Sequence, residues 1–346
     1  MELLKELCQT SAVPGQEQRL GAIVERELES VTDEIRVDAL GNVIAQRRAD
    51  KSRSARKLMI AAHMDEIGFV VSHIEARGWL RLVPLGGHDP RNMVAQRVTV
   101  CGIRGDLPGL LYPGLKPPHL QTEEDRKKEL KIPDFFVDLC LPEETVKEQV
   151  QIGAMVTLQR DFMEIGDGVN GKALDDRIAV YVMIRAMQQA RSSGFDTCAV
   201  ATAQEEVGLR GAGVSAYGVA PDLGIALDVT LAADIPGVPE HEQVTRLGNG
   251  VAIKLLDSAS ISHPALFRGM KELAERRGIP HQIEILPRGG TDAGAIQRAR
   301  HGVPVVTLSV PTRYVHTSIE LAAKKDIQAA IDLLAAFLEE GHQIRL

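Results

Sequence analysis

Four apolar runs of strand length each give way to a histidine or a carboxylate. No other feature of the 346-residue chain restricts its fold as much. Residues 58–62 lead into His63-Met64-Asp65, and 198–204 into Glu205-Glu206. Residues 223–227 lead into Asp228, and 303–310 into Pro311-Thr312-Arg313-Tyr314-Val315-His316. The first run (KLMIAA, with Lys57) shows no polar alternation, which suits a strand buried on both faces. Helical patterns lie between and after these runs. Residues 176–189 place apolar side chains at spacings of three and four, 266–277 end at Gly278, and 293–300 and 325–340 follow. Strands interleaved with helices in this way predict a mixed or parallel sheet covered on both faces. Ligands of such sheets collect at the carboxyl ends of the strands, so the polar residues are expected to converge on one edge. Asp175-Asp176, immediately before a helix, supply a further carboxylate pair.

The middle of the chain has another texture. FVVSHIEARGWLRLV, RVTVCGIRGDLPGLLY, FFVDL and AMVTLQRDF are short β-like runs separated by Gly and Pro, with no helical pattern before residues 143–150. Residues 121–131 are charged and expected to be exposed. The α/β texture on both sides makes this stretch an insertion. One α/β domain is expected from residues 1–68 and 164–346, with a mostly β domain, 69–163, set into it. The chain exceeds the length at which one core usually stops growing. Near the start, residues 3–8 and 16–29 read as helices, and 35–37 and 42–46 as strands around the Leu40-Gly41 turn.

A formal net charge of -7 gives no support for a nucleic-acid partner. The basic run 47–57 (RRADKSRSARK) reads as a solvated loop. No apolar run approaches the 18 residues of a spanning helix, so no membrane partner is expected. The N-terminus lacks the basic and apolar regions of a secretory signal. Cys8, Cys101, Cys140 and Cys198 show neither paired nor metal-binding spacing. A cytoplasmic location is therefore expected.

Two histidines and several carboxylates suit zinc, cobalt or manganese and offer no soft thiolate site. A carboxylate able to bridge two ions is needed for a two-metal centre, and an adjacent Glu pair allows one ligand and one proton acceptor. Taken singly, His63 reads as a satisfied polar group and Asp228 as a cap or loop residue. Glu205-Glu206 directly after an apolar strand is harder to explain that way. His88 in GGHDP and His119 in KPPHL are candidates for a pocket wall; the other histidines read as structural or surface residues. GDGVNG and GLRGAG match neither a phosphate loop nor a dinucleotide fingerprint. RGGTDAG reads as a tight turn opening a helix, with Thr291 or Asp292 as its cap.

The segments AAHMDEIGF, LLYPGLKPPHL, GKALDDR, QEEVGLRGA, the Asp228 strand, RGGTDAGAI and RYVHTSIE together resemble the tetrahedral metallo-aminopeptidases, metallopeptidase family 42. That family includes glutamyl aminopeptidases and proteins formerly labelled endoglucanases. The resemblance implies a zinc-peptidase-like catalytic domain with an inserted, mostly β dimerisation domain. It implies two divalent metal ions, zinc or cobalt, with His63, Asp175 and Asp228 around one and Asp175, Glu206 and His316 around the other. Asp175 resembles the bridging carboxylate, a choice over Asp176 that spacing alone leaves open. Glu205 resembles the general base, and Asp65 the acid that orients the His63 ring. The implied activity is removal of N-terminal residues from short peptides, by a dimer that builds a tetrahedral dodecamer. The same cluster also suits blocked peptides, amino-acid amides or glycans, and a non-catalytic scaffold is the remaining alternative. Arg288 and Arg313 are placed to meet an acidic substrate side chain or a site carboxylate.

Overall fold

The apolar runs form strands because their side chains alternate between two buried layers. In the computed structural model, which describes residues 1–50 and 56–346, Leu58, Ile60 and Ala62 of strand Lys57–His63 pack into one core, and Met59 and Ala61 into another. The first core lies under helices Glu2–Gln9, Gln18–Leu28, Leu174–Gln189, Pro264–Arg277 and Lys324–Glu340. The second lies under Arg210–Val219 and Asp292–Gln297. Leu174–Gln189 is buried almost all round, which is why its apolar pattern is broad rather than a single stripe. Of the run 47–57 expected to be a solvated loop, residues 51–55 lie outside the described residues.

Strand Lys57–His63 pairs in parallel with Asp196–Thr202 on one side and Leu223–Leu231 on the other. Val305–Arg313 extends the parallel set beyond Leu223–Leu231. The four runs therefore point the same way, and their carboxyl ends share one edge. Antiparallel neighbours complete a mixed sheet of eleven strands among the described residues. One of them, Val251–Leu256, went unread because Lys254 interrupts its apolar run. Two boundaries also differ from expectation. Leu223–Leu231 continues past Asp228, which sits inside the strand opposite Ser309, and the last parallel strand runs through Pro311 to Arg313. Their pairing with each other, from Asp228 opposite Ser309 to Leu231 opposite Thr312, carries both strands through their polar residues.

The short β-like runs close into a six-stranded antiparallel barrel: Gly68–Ile74, Leu80–Leu85, Phe135–Asp138, Gly105–Pro113, Gln96–Gly102 and Met155–Leu158, in that order around it. Phe69, Leu80, Val98, Leu111, Phe135 and Val137 fill its interior. Within the exposed stretch 121–131, helix Glu123–Lys127 is started by a capping box between Thr122 and Asp125.

Candidate metal centre

Each parallel strand delivers its polar residue by a different local device. His63 is the last residue of its strand. Its Nδ1 lies 3.0 Å from the main-chain oxygen of Asp65, which leaves Nε2 facing the cleft. The Asp65 carboxylate is 3.6 Å from that ring and accepts the Glu205 and Glu206 N–H groups instead, each at 3.0 Å. Asp65 thus meets the His63 ring through its carbonyl and stands beside it through its carboxylate, which also fixes the Glu pair. Helix Arg210–Val219 starts hard against the strand that precedes that pair. A Cβ on Gly211 would meet the Asn42 amide and the Ala203 carbonyl, and this explains a glycine of GLRGAG without any phosphate.

Asp175 stands between the two histidines. Its Oδ1 is 3.2 Å from His63 Nε2 and its Oδ2 is 3.2 Å from His316 Nε2. Two sets of donor atoms gather around it. One comprises His63, Asp175, Asp176 and Asp228, all buried; the other comprises Asp175, Glu206 and His316. Glu205 Oε2 lies 3.9 Å from His63 Nε2. The structure therefore brings His63, Asp65, Asp175, Glu205, Glu206, Asp228 and His316 into one cluster. Asp176, which spacing left equivalent to Asp175, differs from it in contact: its Oδ2 accepts the His63 N–H at 3.2 Å.

The charges of the protein alone are poorly balanced here. Burial, then the charge of Asp175, pushes the Glu206 carboxyl up to about 8. Asp228 is raised by burial and then by Asp175, and Asp176 by burial and then by Asp228. Glu205 is raised mainly by burial. Burial opposes charge on the His316 ring, but Asp175 more than offsets it and lifts the ring to about 10. Burial likewise opposes charge on Asp175 itself, yet the two histidines hold it below the usual carboxylate range. Asp176 Oδ1 and Glu206 Oε1 are buried without a hydrogen-bond partner. Crowded carboxylates, unpartnered oxygens and two imidazoles fit divalent cations, whose charge removes the repulsion.

A cavity of about 480 Å³ opens beside the cluster, walled by Leu231, Leu286 and Val315 and by Lys254 and Arg288. Lys254 is buried 3.1 Å from Glu284 and 3.4 Å from Asp257. Arg313 is absent from this wall; it pairs with Asp234 through two contacts of 2.9 and 2.8 Å. His88 stacks on Phe69, with ring centroids 4.2 Å apart. His119 is exposed on the barrel. The glycines before His88 matter more than the histidine, because a Cβ on Gly86 or Gly87 would crowd Glu206 or His316. Asp292 does not cap its helix. It is buried and accepts from the Thr202 hydroxyl at 2.5 Å. Sequence reasoning also missed Lys254 and Glu320. A charge within an apolar strand and an acid four residues after His316 were the available signals.

The family model described as M42 glutamyl aminopeptidase matches residues 41–333. The lysyl aminopeptidase of Pyrococcus furiosus is 37% identical over 346 residues, covering 98% of this chain and 96% of its own. Among solved structures, an aminopeptidase from the archaeon Desulfurococcus kamchatkensis is 39% identical with a TM-score of 0.93, covering 98% of this chain and 94% of its own. The TET1 peptidase of Pyrococcus horikoshii, described as able to assemble into a tetrahedron or a large octahedral shell, is 31% identical with a TM-score of 0.86. It covers 97% of this chain and 98% of its own.

Proposed function

The chain belongs to the M42 glutamyl aminopeptidase family, and on that premise we propose that it removes residues from the free amino ends of short peptides at a centre of two divalent cations, zinc or cobalt. The observation that carries this reading is Asp175, whose two oxygens face His63 and His316 at equal distance. His63, Asp175 and Asp228 would hold one cation, and Asp175, Glu206 and His316 the other. A bound pair would supply polarisation of the substrate carbonyl and a lower proton affinity of the attacking water.

The remaining steps fall to the protein. Glu205 lines the cavity beside His63 and takes the proton of the water as its oxygen adds to the carbonyl carbon. It then returns that proton to the departing amine nitrogen as the C–N bond breaks. Asp65 keeps the Glu205 carboxylate on station through the backbone of the Glu pair. The free amino group of the peptide is drawn to the carboxylate-rich end of the cavity. The apolar wall of Leu231, Leu286 and Val315 supports broad neutral selectivity.

The barrel carries exposed Val83, Leu110 and Tyr112, which supports a role for residues 69–163 as an inserted contact domain. We place dimers, and a tetrahedral dodecamer built from them, on that surface. Four free cysteines suit a reducing cytoplasm.

The test pairs a substrate panel with one substitution. Aminoacyl-anilides should be cleaved, while acyl-blocked peptides and cellulose derivatives should be cleaved slowly or not at all. Glu205→Gln should lower kcat by about 10³-fold, the scale of a lost general base, with metal content by elemental analysis unchanged. Full activity in that variant, or a preference for blocked peptides or glycans, would overturn the reading.

A further inference from the structure

Glu320 belongs to neither set of donor atoms, yet its carboxylate grips the backbone of both. Oε2 accepts the N–H of Asp175 at 3.0 Å, and Oε1 accepts the N–H of His316 at 2.8 Å. The residue is 2% exposed, so water does not compete for these bonds. Its own main chain is anchored separately. Glu320 opens strand Glu320–Ala323 opposite Gly171, and the Asn170 side-chain amide donates to its carbonyl at 2.8 Å. The side chain thus projects from a fixed point to join two segments 141 residues apart in sequence, 175 and 316.

One of those segments needs holding. His316 has a φ of 62° and Tyr314 a φ of 60°, left-handed backbone that residues with a side chain seldom adopt. Such conformations persist where surrounding contacts over-determine them. Around His316 those contacts are the Glu320 carboxylate and the Thr317 hydroxyl, which donates to the Tyr314 carbonyl at 2.7 Å. Asp65 does the same for the other side of the cluster, through the Glu205 and Glu206 N–H groups. The parallel identifies a pattern: a buried carboxylate that binds no cation clamps two backbone N–H groups of residues that do or that work beside one.

Resting on the cation centre proposed above, we infer that Glu320 is a positioning residue. It fixes the spacing of Asp175 and His316, so that the set of Asp175, Glu206 and His316 is formed before a cation arrives. A carboxylate is required because both groups it meets are donors. Glutamine offers one oxygen, and its amide hydrogens would then face the second N–H. Aspartate keeps two acceptors but withdraws them by one methylene.

The experiment titrates metal-free protein with Co²⁺, following the visible absorption of the bound ion in competition with a chelator. It also follows amide hydrogen exchange over residues 314–320 before any metal is added. Glu320→Gln should weaken Co²⁺ binding by about 10- to 100-fold, the range for lost partners of ligating residues, and speed exchange in that loop. Glu320→Asp should fall between it and the parent protein, and it decides the matter alone if the Gln variant does not fold. Val98→Ala, in the barrel interior, lowers Tm without touching the site and should leave Co²⁺ affinity unchanged. Parent-like Co²⁺ affinity in the Glu320 variants, or an equal loss in Val98→Ala, overturns the positioning role. A parent protein that takes up no Co²⁺ sinks the cation-centre reading, and this inference with it, so the two failures are told apart.

Discussion

The barrel and the sheet treat charge in opposite ways. The barrel interior holds Phe69, Val98, Leu111, Phe135 and Val137, and among the described residues the one buried polar residue of the barrel strands, Thr157, meets the Ser11 hydroxyl of the other region at 2.7 Å. The sheet region buries His63, Asp65, Glu66, Asp175, Asp176, Arg177, Asp228, Lys254, Glu284 and Glu320. Burying such groups costs several kcal/mol each unless they are paired or hydrogen-bonded. Much of this cost is offset locally. Glu66 meets Lys172 at 2.6 Å and Arg177 at 3.4 Å, and Arg177 donates to the carbonyls of Leu7, Thr10 and Ala12. The barrel is therefore held by packing, and the sheet by packing plus a polar frame whose members depend on one another.

That contrast yields graded expectations. The largest change should follow Lys254→Met, which strands Glu284 and Asp257 in the interior. A loss of about 4 kcal/mol is expected in denaturant unfolding, the scale for breaking a buried pair. Unchanged stability would mean that the frame around Lys254 is not mutually dependent. Leu111→Ala in the barrel should cost about 3 kcal/mol from a cavity alone. Because no charge is stranded, kcat/KM per folded molecule should be retained, and a hundredfold loss would break the separation of the two regions.

The smallest change concerns pH. Burial pushes the Glu17 carboxyl up to about 7, from an ordinary 4.5. Below pH 4.5 both folded and unfolded chains hold this proton, and nothing is lost. Between 4.5 and about 7 the unfolded chain releases it while the folded chain keeps it, so stability falls as pH rises. Above 7 the loss is complete. Glu17→Gln should remove that slope, a difference on the order of 1 kcal/mol once solvent screening is included. Identical stability profiles for parent and variant would show that the site does not titrate in this window.

How much of this was legible beforehand depends on what each residue's neighbours in sequence reveal. His63, Glu205-Glu206 and His316 stood out because an apolar run stopped at or just before them, and the parallel sheet brings those stops to one edge. Asp228 was noticed for the right reason but placed at a strand end, since its pairing with the last parallel strand cannot be read locally. Lys254 and Asp292 were lost or misread because their partners, Glu284 and Thr202, lie far away in the chain. Arg313 pairs with Asp234 for the same unreadable reason. The β texture of the middle region was plain, but closure into a barrel depends on pairings such as Phe69 with Val156, which no local pattern announces.

Asp175 also has a consequence for when the protein becomes dangerous to other chains. The cluster joins residues from 63 to 316, and its central carboxylate makes sense only when both flanking histidines have arrived. A chain still being synthesised holds His63 and Asp175 long before residue 316 exists. Contacts of such long sequence separation form late. On the proposed cation centre, cleaving power is expected only once nearly the whole polypeptide has emerged and folded, and a fragment ending before the last parallel strand should be inert without any separate inhibitor.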